Sequence, residues 1–366
     1  MKHKKTILIT TDIALYPADS GCRVRIINLI KSLRHLGFSV VLITSEIPKM
    51  GARFKHKMLV DKLITVDSRG FGTGSPFNFD CSPFCNAVEK AVAEFDPTAV
   101  IAEYIWMAPC LDKVTNKAIK MIDTHDVMHV RKDSEAWVTC SKEEEAGLLR
   151  KANVIIAIQK NEKKKFGEMV LDRKVICVPH YFNVKQIKGR SKKDVIAFIG
   201  GQNPPNRRGI KSFLSVSWPI IKKEYPEAEF RIYGNVARYI PEGYEGVSKM
   251  GFIKKLEKAH KAAKVIINPV AIGTGLKIKN VEALCFGNAL VTTSCGADGL
   301  EEGAGKAFIV EDDMGRFGKA VVKLLKDNFY RESLEKNALE FAKKNFNRKA
   351  VFKEFLEVLN KNEENS

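Results

Sequence analysis

The sequence lacks any long hydrophobic run. No stretch of about 18 consecutive apolar residues occurs among the 366 residues, so no segment has the length and apolarity of a membrane-spanning helix. The basic start of the chain resembles the first part of a signal peptide, but the apolar stretch that follows is short and leads directly to Asp12. We therefore predict that residues 6–11 form a first strand.

Cysteine is present but without the paired spacing of a zinc site. The eight cysteines are scattered along the chain, several of them inside apolar runs. This distribution predicts reduced core thiols in a cytosolic protein. Cys81 and Cys85 form the one close pair, and their spacing favours a surface or helix-start thiol pair over a metal site.

Acidic residues are outnumbered. The chain has 61 Lys and Arg against 43 Asp and Glu, a net charge of +18. Such a charge attracts nucleic acid, anionic lipid or phosphorylated small molecules. No RNA-binding signature or zinc finger accompanies it, and the lysines are spread over many segments. The charge therefore favours a diffuse basic surface that faces a membrane or an anionic acceptor, with no nucleic-acid partner expected. A non-catalytic nucleic-acid or membrane-surface binding protein is the alternative.

Short β-rich apolar runs alternate with stretches of helical period from the N-terminus onward, and no internal repeat occurs. This alternation is typical of parallel sheets covered by helices. It is interrupted once by a polar, mostly basic segment and then begins again. We predict an α/β protein with two Rossmann-like domains at residues 1–183 and 195–344, a linker at 184–194, and a C-terminal helix and tail at 345–366 that can pack back on the N-terminal domain.

The loop with the most candidate ligand-binding residues follows a predicted strand at residues 265–269. Gly273 and Gly275 allow a close approach of the backbone, and we expect a helix to begin near Leu276, with its free N–H groups and positive dipole end directed at a ligand. Lys277, Lys279 and Glu282 add two cations and a carboxylate that can accept hydrogen bonds from ribose hydroxyls. The pattern fits a nucleoside diphosphate. The alternative is an ordinary amphipathic helix with these three side chains merely solvated.

The whole stretch 273–300 resembles the donor-binding segment of retaining GT-B glycosyltransferases in the "glycosyl transferases group 1" family. The resemblance extends over nearly the full chain. In the second part of the chain, the other residues that match the family's pattern are Phe198-Ile199-Gly200-Gly201, Pro204-Pro205-Asn206, Pro226 and Phe230 to Gly234. In the N-terminal part they are Pro17, Ser20-Gly21, Arg25, Leu29, Leu33 and Gly37. The family's fold is GT-B, in which two Rossmann-like domains face a cleft.

The resemblance implies roles for the residues of the second domain. Lys277 would contact the donor diphosphate and assist catalysis, with Lys279 nearby, and Glu282 would hold the donor ribose. Many relatives carry a second acidic residue eight positions before this glutamate, where the present sequence has Thr274. The further donor-binding candidates are Gly21, Gly200, Gly201, Arg207, Arg208, Gly273 and Gly275. Which of the two arginines approaches the diphosphate stays open.

In the first domain, His125 resembles the family's cleft histidine and is the other catalytic candidate. It follows a predicted strand and is flanked by Asp123 and Asp126. Glu103 and Asp126 are possible acceptor-site residues. The alternatives are a solvated strand-end position for Glu103 and a helix-capping role for Asp126.

Taken together, the resemblance implies a glycosyltransferase that moves a sugar from a UDP- or GDP-linked donor to a hydroxyl of a glycan, glycolipid or lipid-linked acceptor. It implies retention of the anomeric configuration, no cofactor and no metal. The scattered thiols predict a cytoplasmic protein, and the basic charge near the N-terminus predicts peripheral attachment to the inner face of the cell membrane. The alternative to such attachment is a solvated basic surface. A sugar-nucleotide epimerase or a sugar phosphorylase is an alternative, because both use the same architecture.

Overall fold

The structure is a computed structural model that describes residues 4–46, 50–67, 75–131, 138–187, 189 and 193–364. Part of the predicted linker, residues 188 and 190–192, lies outside these ranges. The chain divides into two compact units. The first unit is Met1–Tyr181 together with Val351–Ser366, and the second is Phe182–Ala350.

The first unit contains a seven-stranded parallel sheet with the strand order β3-β2-β1-β4-β5-β6-β7. Its strands are β1 Thr6–Thr10, β2 Ser39–Ser45, β3 Lys62–Val66, β4 Ala99–Glu103, β5 Ile119–Asp123, β6 Val154–Ala157 and β7 Lys174–Cys177. Its helices are α1 Gly21–His35, α2 Met50–Leu59, α3 Ser82–Phe95, α4 Lys142–Leu149, α5 Lys160–Met169 and α14 Lys353–Glu364, with 3₁₀ segments at Pro76–Asn78 and Ile105–Lys113. The short helix α13 Arg348–Val351 precedes α14.

The second unit contains a six-stranded parallel sheet with the order β10-β9-β8-β11-β12-β13. Its strands are β8 Val195–Ile199, β9 Glu229–Tyr233, β10 Val247–Gly251, β11 Val265–Asn268, β12 Ala289–Thr292 and β13 Ile309–Val310. Its helices are α6 Pro204–Ser212, α7 Trp218–Glu224, α8 Leu256–Ala262, α9 Ile278–Cys285, α10 Ser294–Ala297, α11 Met314–Lys326 and α12 Asn328–Asn345; a π-helical turn, Phe213–Ser217, joins α6 to α7, and Asn235–Tyr239 and Glu301–Gly303 are 3₁₀ turns.

Alternation along the strands builds the cores. In β1, Leu8 packs with α3 on one face of the sheet, while Ile7 and Ile9 pack with α1 on the other. Phe352 and Phe355, next to and within α14, are buried against this second face. In the second unit, one large cluster joins β8, β9, β11 and β12 to the α6–α7 and α11 helices. Both units are thus parallel α/β layers, which confirms the predicted Rossmann-like architecture.

The starts of two helices have local causes. Helix α6 begins at Pro204, because Asn203 caps its N-terminus and two prolines occupy the first turn, where a missing N–H costs little. The helix after the glycine loop begins at Ile278, since Lys277 has non-helical φ and ψ and is the N-cap. Among the described residues, no helix is long and apolar enough to cross a bilayer.

Candidate functional site

The glycine loop of the second unit connects β11 to α9. β11 is a neighbour of β8, so the loop lies where the strand order reverses, the usual ligand-binding edge of such sheets. Gly273 and Gly275 have φ values of 121° and 75°, which side chains with a Cβ rarely tolerate. The two glycines therefore shape a loop that delivers the chain to the N-terminus of α9.

Lys277 turns its side chain back onto this loop. Its Nζ donates to the carbonyl oxygens of Thr274 and Gly275 at 2.9 and 3.0 Å and approaches that of Gly273 at 3.3 Å. One ammonium group thus satisfies three backbone acceptors and fixes the loop. The predicted contact of Lys277 with the donor diphosphate stays a prediction, since the structure contains no ligand.

Lys279 lies half-buried in the first turn of α9. Its Nζ donates to Oδ1 of Asn206 and sits 4.4 Å from the centroid of the Phe198 ring. Asn206 is itself held, because its Nδ2 donates to the carbonyl oxygen of Gly201 at 2.8 Å. Burial, together with the nearby charge of Lys277, lowers the pKa of Lys279 to about 7. An anion beside this amine would restore its proton.

Glu282 lies one turn further along α9. Its side chain is only 5% exposed, and it makes no hydrogen bond to any residue that the structure describes. Burial raises the pKa of Glu282 to about 8, although Lys279 opposes the shift. The alternative of a merely solvated carboxylate is therefore wrong. Burial of a carboxyl group is costly, and a ligand with hydroxyl donors would reduce that cost.

Packing requires glycine at Gly200, directly after β8, and at Gly234, directly after β9. A Cβ on Gly234 would lie 2.1 Å from the carbonyl oxygen of Gly200, and one on Gly200 would lie 2.6 Å from the Phe198 ring. Of the two candidate arginines, Arg207 stacks its guanidinium 5.0 Å from the ring centroid of Tyr239. The other, Arg208, is exposed. Both lie in the first turns of α6.

The first unit contains a separate buried polar group at the ends of β4 and β5. Arg25 of α1 makes a bidentate contact with Asp123, with Nε–Oδ2 and Nη2–Oδ1 distances of 2.9 and 2.6 Å, and also donates to the carbonyl oxygen of Val178. Arg25 and Asp123 are 4% and 0% exposed. This ion pair was not predicted from the sequence. The available signal was a charged residue on the apolar face of α1, in line with Leu29 and Leu33.

His125 joins the same group. Glu103 and Asp123 are paired across β4 and β5, and the His125 Nε2 lies 2.6 Å from Oε2 of Glu103. Burial, with the nearby Asp123, raises the pKa of Glu103 to about 7, and its Oε1 has no partner among the described residues. Glu103 is fully buried, so its alternative as a solvated strand-end residue is wrong. Tyr104 stacks on the imidazole at 4.0 Å between centroids.

Two residues of this buried polar group and its surroundings have strained backbone conformations. Tyr104 and His125 both have left-handed φ values, 70° and 60°, which are uncommon for residues other than glycine. Asp126 follows in a turn, not at the start of a helix, so its predicted alternative as a helix cap is wrong.

Two further residues of the first unit lie in or next to the connection between β1 and α1. Gly21 is the first residue of α1. A further carboxylate, Asp12, accepts from Nε1 of Trp106 at 3.0 Å, and burial raises its pKa.

Glu103, Asp123 and His125 have ligand atoms within 4.8 Å of one another, as a metal site requires. However, Arg25 occupies both oxygens of Asp123. The guanidinium already balances that carboxylate, so a cation would have to displace it. These residues therefore fit a metal ion poorly.

Comparisons with known proteins agree with this architecture. Residues 193–327 match the model of the family described as "Glycosyl transferases group 1". The chain is 23% identical over 374 aligned positions to an uncharacterised 44.6 kDa protein in the cps region of Klebsiella pneumoniae, covering 92% of this chain and 95% of that protein.

Two solved structures are similar over the whole chain. Sucrose-phosphate synthase from Thermosynechococcus elongatus superposes with a TM-score of 0.76 at 14% identity, covering 99% of this chain and 100% of that one. Anabaena HepE in complex with UDP and glucose gives a TM-score of 0.73 at 12% identity, covering 98% and 100%. The chain thus has the GT-B fold, and its second unit is similar to the glycosyl transferases group 1 family.

Proposed function

We propose that the protein transfers a glycosyl group from a nucleotide-diphosphate sugar to a hydroxyl of a glycan, glycolipid or lipid-linked acceptor. The observation that carries the proposal is the pair on α9, Lys279 with its lowered pKa and the buried Glu282 with its raised pKa. At neutral pH the carboxyl group of Glu282, with a pKa of about 8, is mostly protonated, and the amine of Lys279, with a pKa of about 7, is about half neutral. A ligand that is anionic at one end and carries hydroxyls at the other would complement both.

In this proposal the diphosphate lies at the N-terminus of α9. The first amide groups of a helix have no intrahelical acceptor, and the helix dipole adds partial positive charge there. Lys279 supplies a formal charge when it takes up a proton beside the phosphates. Glu282 accepts from the ribose hydroxyls, which gives its carboxyl group the partners that it lacks. Lys277 keeps the glycine loop in the conformation that admits the phosphates.

The first unit would supply the groups that act on the sugar and the acceptor. His125 is held by Glu103 and by its stack on Tyr104, so its ring is oriented before any substrate arrives. Such preorganisation is what a group that hydrogen-bonds the reacting atoms requires. Glu103 shares a proton with His125, and its free Oε1 can accept a further hydrogen bond.

Departure of the nucleoside diphosphate is the step to be stabilised. The dipole of α9 and protonated Lys279 would offset the negative charge that develops on the leaving phosphate. We propose that this reaction retains the anomeric configuration and requires neither a cofactor nor a metal, with UDP or GDP as the nucleotide. Support for UDP comes from HepE, whose structure was solved with UDP and glucose.

We further propose that the protein acts at an anionic membrane surface. Helix α2 presents Met50, Phe54 and Met58 on its outer side, with side chains 88%, 64% and 66% exposed. Exposed Arg53, Lys55 and Lys57 lie between them. On the buried side of this helix, Nε2 of His56 accepts a hydrogen bond from the backbone N–H of Leu15 at 2.8 Å, which holds the helix against the first unit. Exposed apolar side chains among cations are typical of helices that lie in a lipid interface.

A panel of nucleotide sugars, incubated with and without candidate acceptors, tests the proposed reaction. We expect donor hydrolysis or transfer with one nucleotide class, and a product with the donor's anomeric configuration. An inverted product would contradict retention.

Co-sedimentation with anionic vesicles tests the membrane proposal separately. Phe54→Ser should weaken that binding, whereas the matched change Phe329→Ser, at an 88% exposed position of α12, should not.

A further inference from the structure

Three cysteines that are distant in the sequence meet in the first unit. Cys81 is the N-cap of α3, Cys85 lies one turn later, and Cys110 lies in the 3₁₀ segment Ile105–Lys113. The Sγ atom of Cys85 is 3.7 Å from that of Cys81 and 3.4 Å from that of Cys110. All three sulfur atoms lie within 4.8 Å of one another. They form a triangle of thiols that the spacing of Cys81 and Cys85 alone did not reveal.

We propose that Cys81, Cys85 and Cys110 bind a thiophilic metal ion through three thiolate sulfurs. A metal at about 2.3 Å from each sulfur holds neighbouring sulfurs about 3.8 Å apart in a tetrahedral site and about 4.0 Å apart in a trigonal one. The observed triangle comes within a few tenths of an ångström of these separations on two of its edges. Small rotations of the side chains therefore suffice to admit the ion.

The chemistry of the ligand set narrows the class of metal. Three sulfurs without a carboxylate among them select soft or borderline ions such as Zn²⁺ and disfavour Mg²⁺ and Ca²⁺. Cys85 and Cys110 are buried, whereas Cys81 is half-buried. Three cysteine sulfurs leave the fourth position of a tetrahedral ion to a ligand other than cysteine.

The surroundings of the triangle contain a cation and an anion. Cys81 sits at the positive end of α3, and the ammonium of Lys113 attracts negative charge at Cys85, while Asp80 opposes negative charge at Cys81. Three thiolates around a divalent ion leave a single negative charge, which is smaller than the charge that three thiolates carry without the ion.

Calorimetric titration of Zn²⁺ into the reduced full-length chain tests the proposal. We expect one ion per chain and a release of protons, because thiols must lose their protons to bind. Cys81→Ser removes a ligand at a half-buried position where serine fits. It should weaken zinc binding by more than about 100-fold, beyond the loss typical of an outer-shell partner. The matched change Cys140→Ser, at another half-buried cysteine, should leave the affinity unchanged.

Thiol mapping on the wild-type chain gives a second measurement that does not depend on a variant. Bound Zn²⁺ should protect Cys81, Cys85 and Cys110 from alkylation and leave Cys140 reactive. Equal zinc affinity in wild type and Cys81→Ser would overturn the proposal, as would protection of other cysteines instead. A disulfide between Cys81 and Cys85 in the chain purified without reductant, with no zinc bound after reduction, would also overturn it and would identify a redox pair.

Discussion

The buried polar groups of the two units differ in how their charges are satisfied. In the first unit, Arg25 and Asp123 neutralise each other, and Glu103 and His125 share a short hydrogen bond. In the second unit, Glu282 has no hydrogen-bond partner in the described chain, and Lys279 has only the neutral Asn206. The first group balances most of its own charge, with Oε1 of Glu103 left without a partner among the described residues, whereas the second holds an amine and a carboxyl group with strongly shifted pKa values.

This difference indicates that the polar groups of the two units have different roles. A group that is already satisfied is rigid and can orient a reacting atom, but it gains little from binding. A group that lacks partners gains free energy when a complementary ligand arrives. We therefore expect changes in the first unit to affect stability and turnover, and changes on α9 to affect nucleotide affinity.

The largest expected effect is on stability. Arg25→Met would leave Asp123 buried without its countercharge, which costs about 3–5 kcal/mol of unfolding free energy. Urea denaturation measures this loss. The matched control is Arg23→Ala, since Arg23 pairs with Asp19 at a partly exposed position and its loss should cost less than about 1 kcal/mol. Equal losses in the two variants would show that the Arg25–Asp123 pair does not hold the first unit together.

Next in size is an effect on turnover. His125→Asn keeps a polar side chain but removes the imidazole, and we expect donor turnover to fall about 100-fold, at the low end for loss of an acid–base group. Nucleoside diphosphate affinity should stay within about twofold, because the donor's nucleotide is assigned to α9. A large loss of nucleotide affinity in this variant would contradict the assignment of nucleotide binding to α9 and of turnover to His125. Steady-state rates and calorimetry together make the distinction.

Much of this arrangement could be predicted from the sequence, because it rests on local patterns. The apolar runs of β1, β11 and β12 and the glycines before α9 indicate strands and a loop without knowledge of their neighbours. The triangle of thiols could not be predicted in this way, since Cys110 lies 25 residues from Cys85. The pairing of β4 with β5, which brings Glu103 to His125, is likewise a tertiary contact.

The start of α9 shows a subtler limit. Helical periodicity indicates a helix near Leu276 but does not reveal that Lys277 turns back onto three carbonyl groups. Lys277 is the N-cap, and the helix begins two residues after Leu276. Charge patterns likewise indicate cations and carboxylates but not their protonation states, which depend on burial.

A smaller effect concerns pH. The pKa of Glu282 is raised by folding to about 8, so the folded chain binds the proton more tightly than the unfolded chain. The contribution of Glu282 to stability is therefore highest below the unfolded pKa, near 4.5, falls between that pH and about 8 by up to about 1.4 kcal/mol per pH unit, and levels off above the folded pKa. Glu282→Gln should remove this slope between pH 5 and 7. Parallel pH profiles for the two proteins would contradict the raised pKa.

The smallest expected effect is a proton count. At pH 8 the Lys279 amine, with its pKa lowered to about 7, is mostly neutral in the free protein. A bound diphosphate should restore its charge, so binding should take up a fraction of a proton, up to about one. Calorimetry in two buffers of different ionisation enthalpy measures this uptake. Lys279→Met should abolish it, and an uptake that persists in the variant would assign the proton to another group.

The most direct test of the account is calorimetric titration of UDP and GDP into wild type and Glu282→Ala, with Glu340→Ala on the exposed face of α12 as the matched control. We predict that one nucleotide binds the wild type and the control equally. Its affinity for Glu282→Ala should be about 10- to 100-fold lower, the loss of hydrogen bonds to a carboxyl group. Unchanged affinity in Glu282→Ala would contradict the assignment of α9 as the nucleotide site.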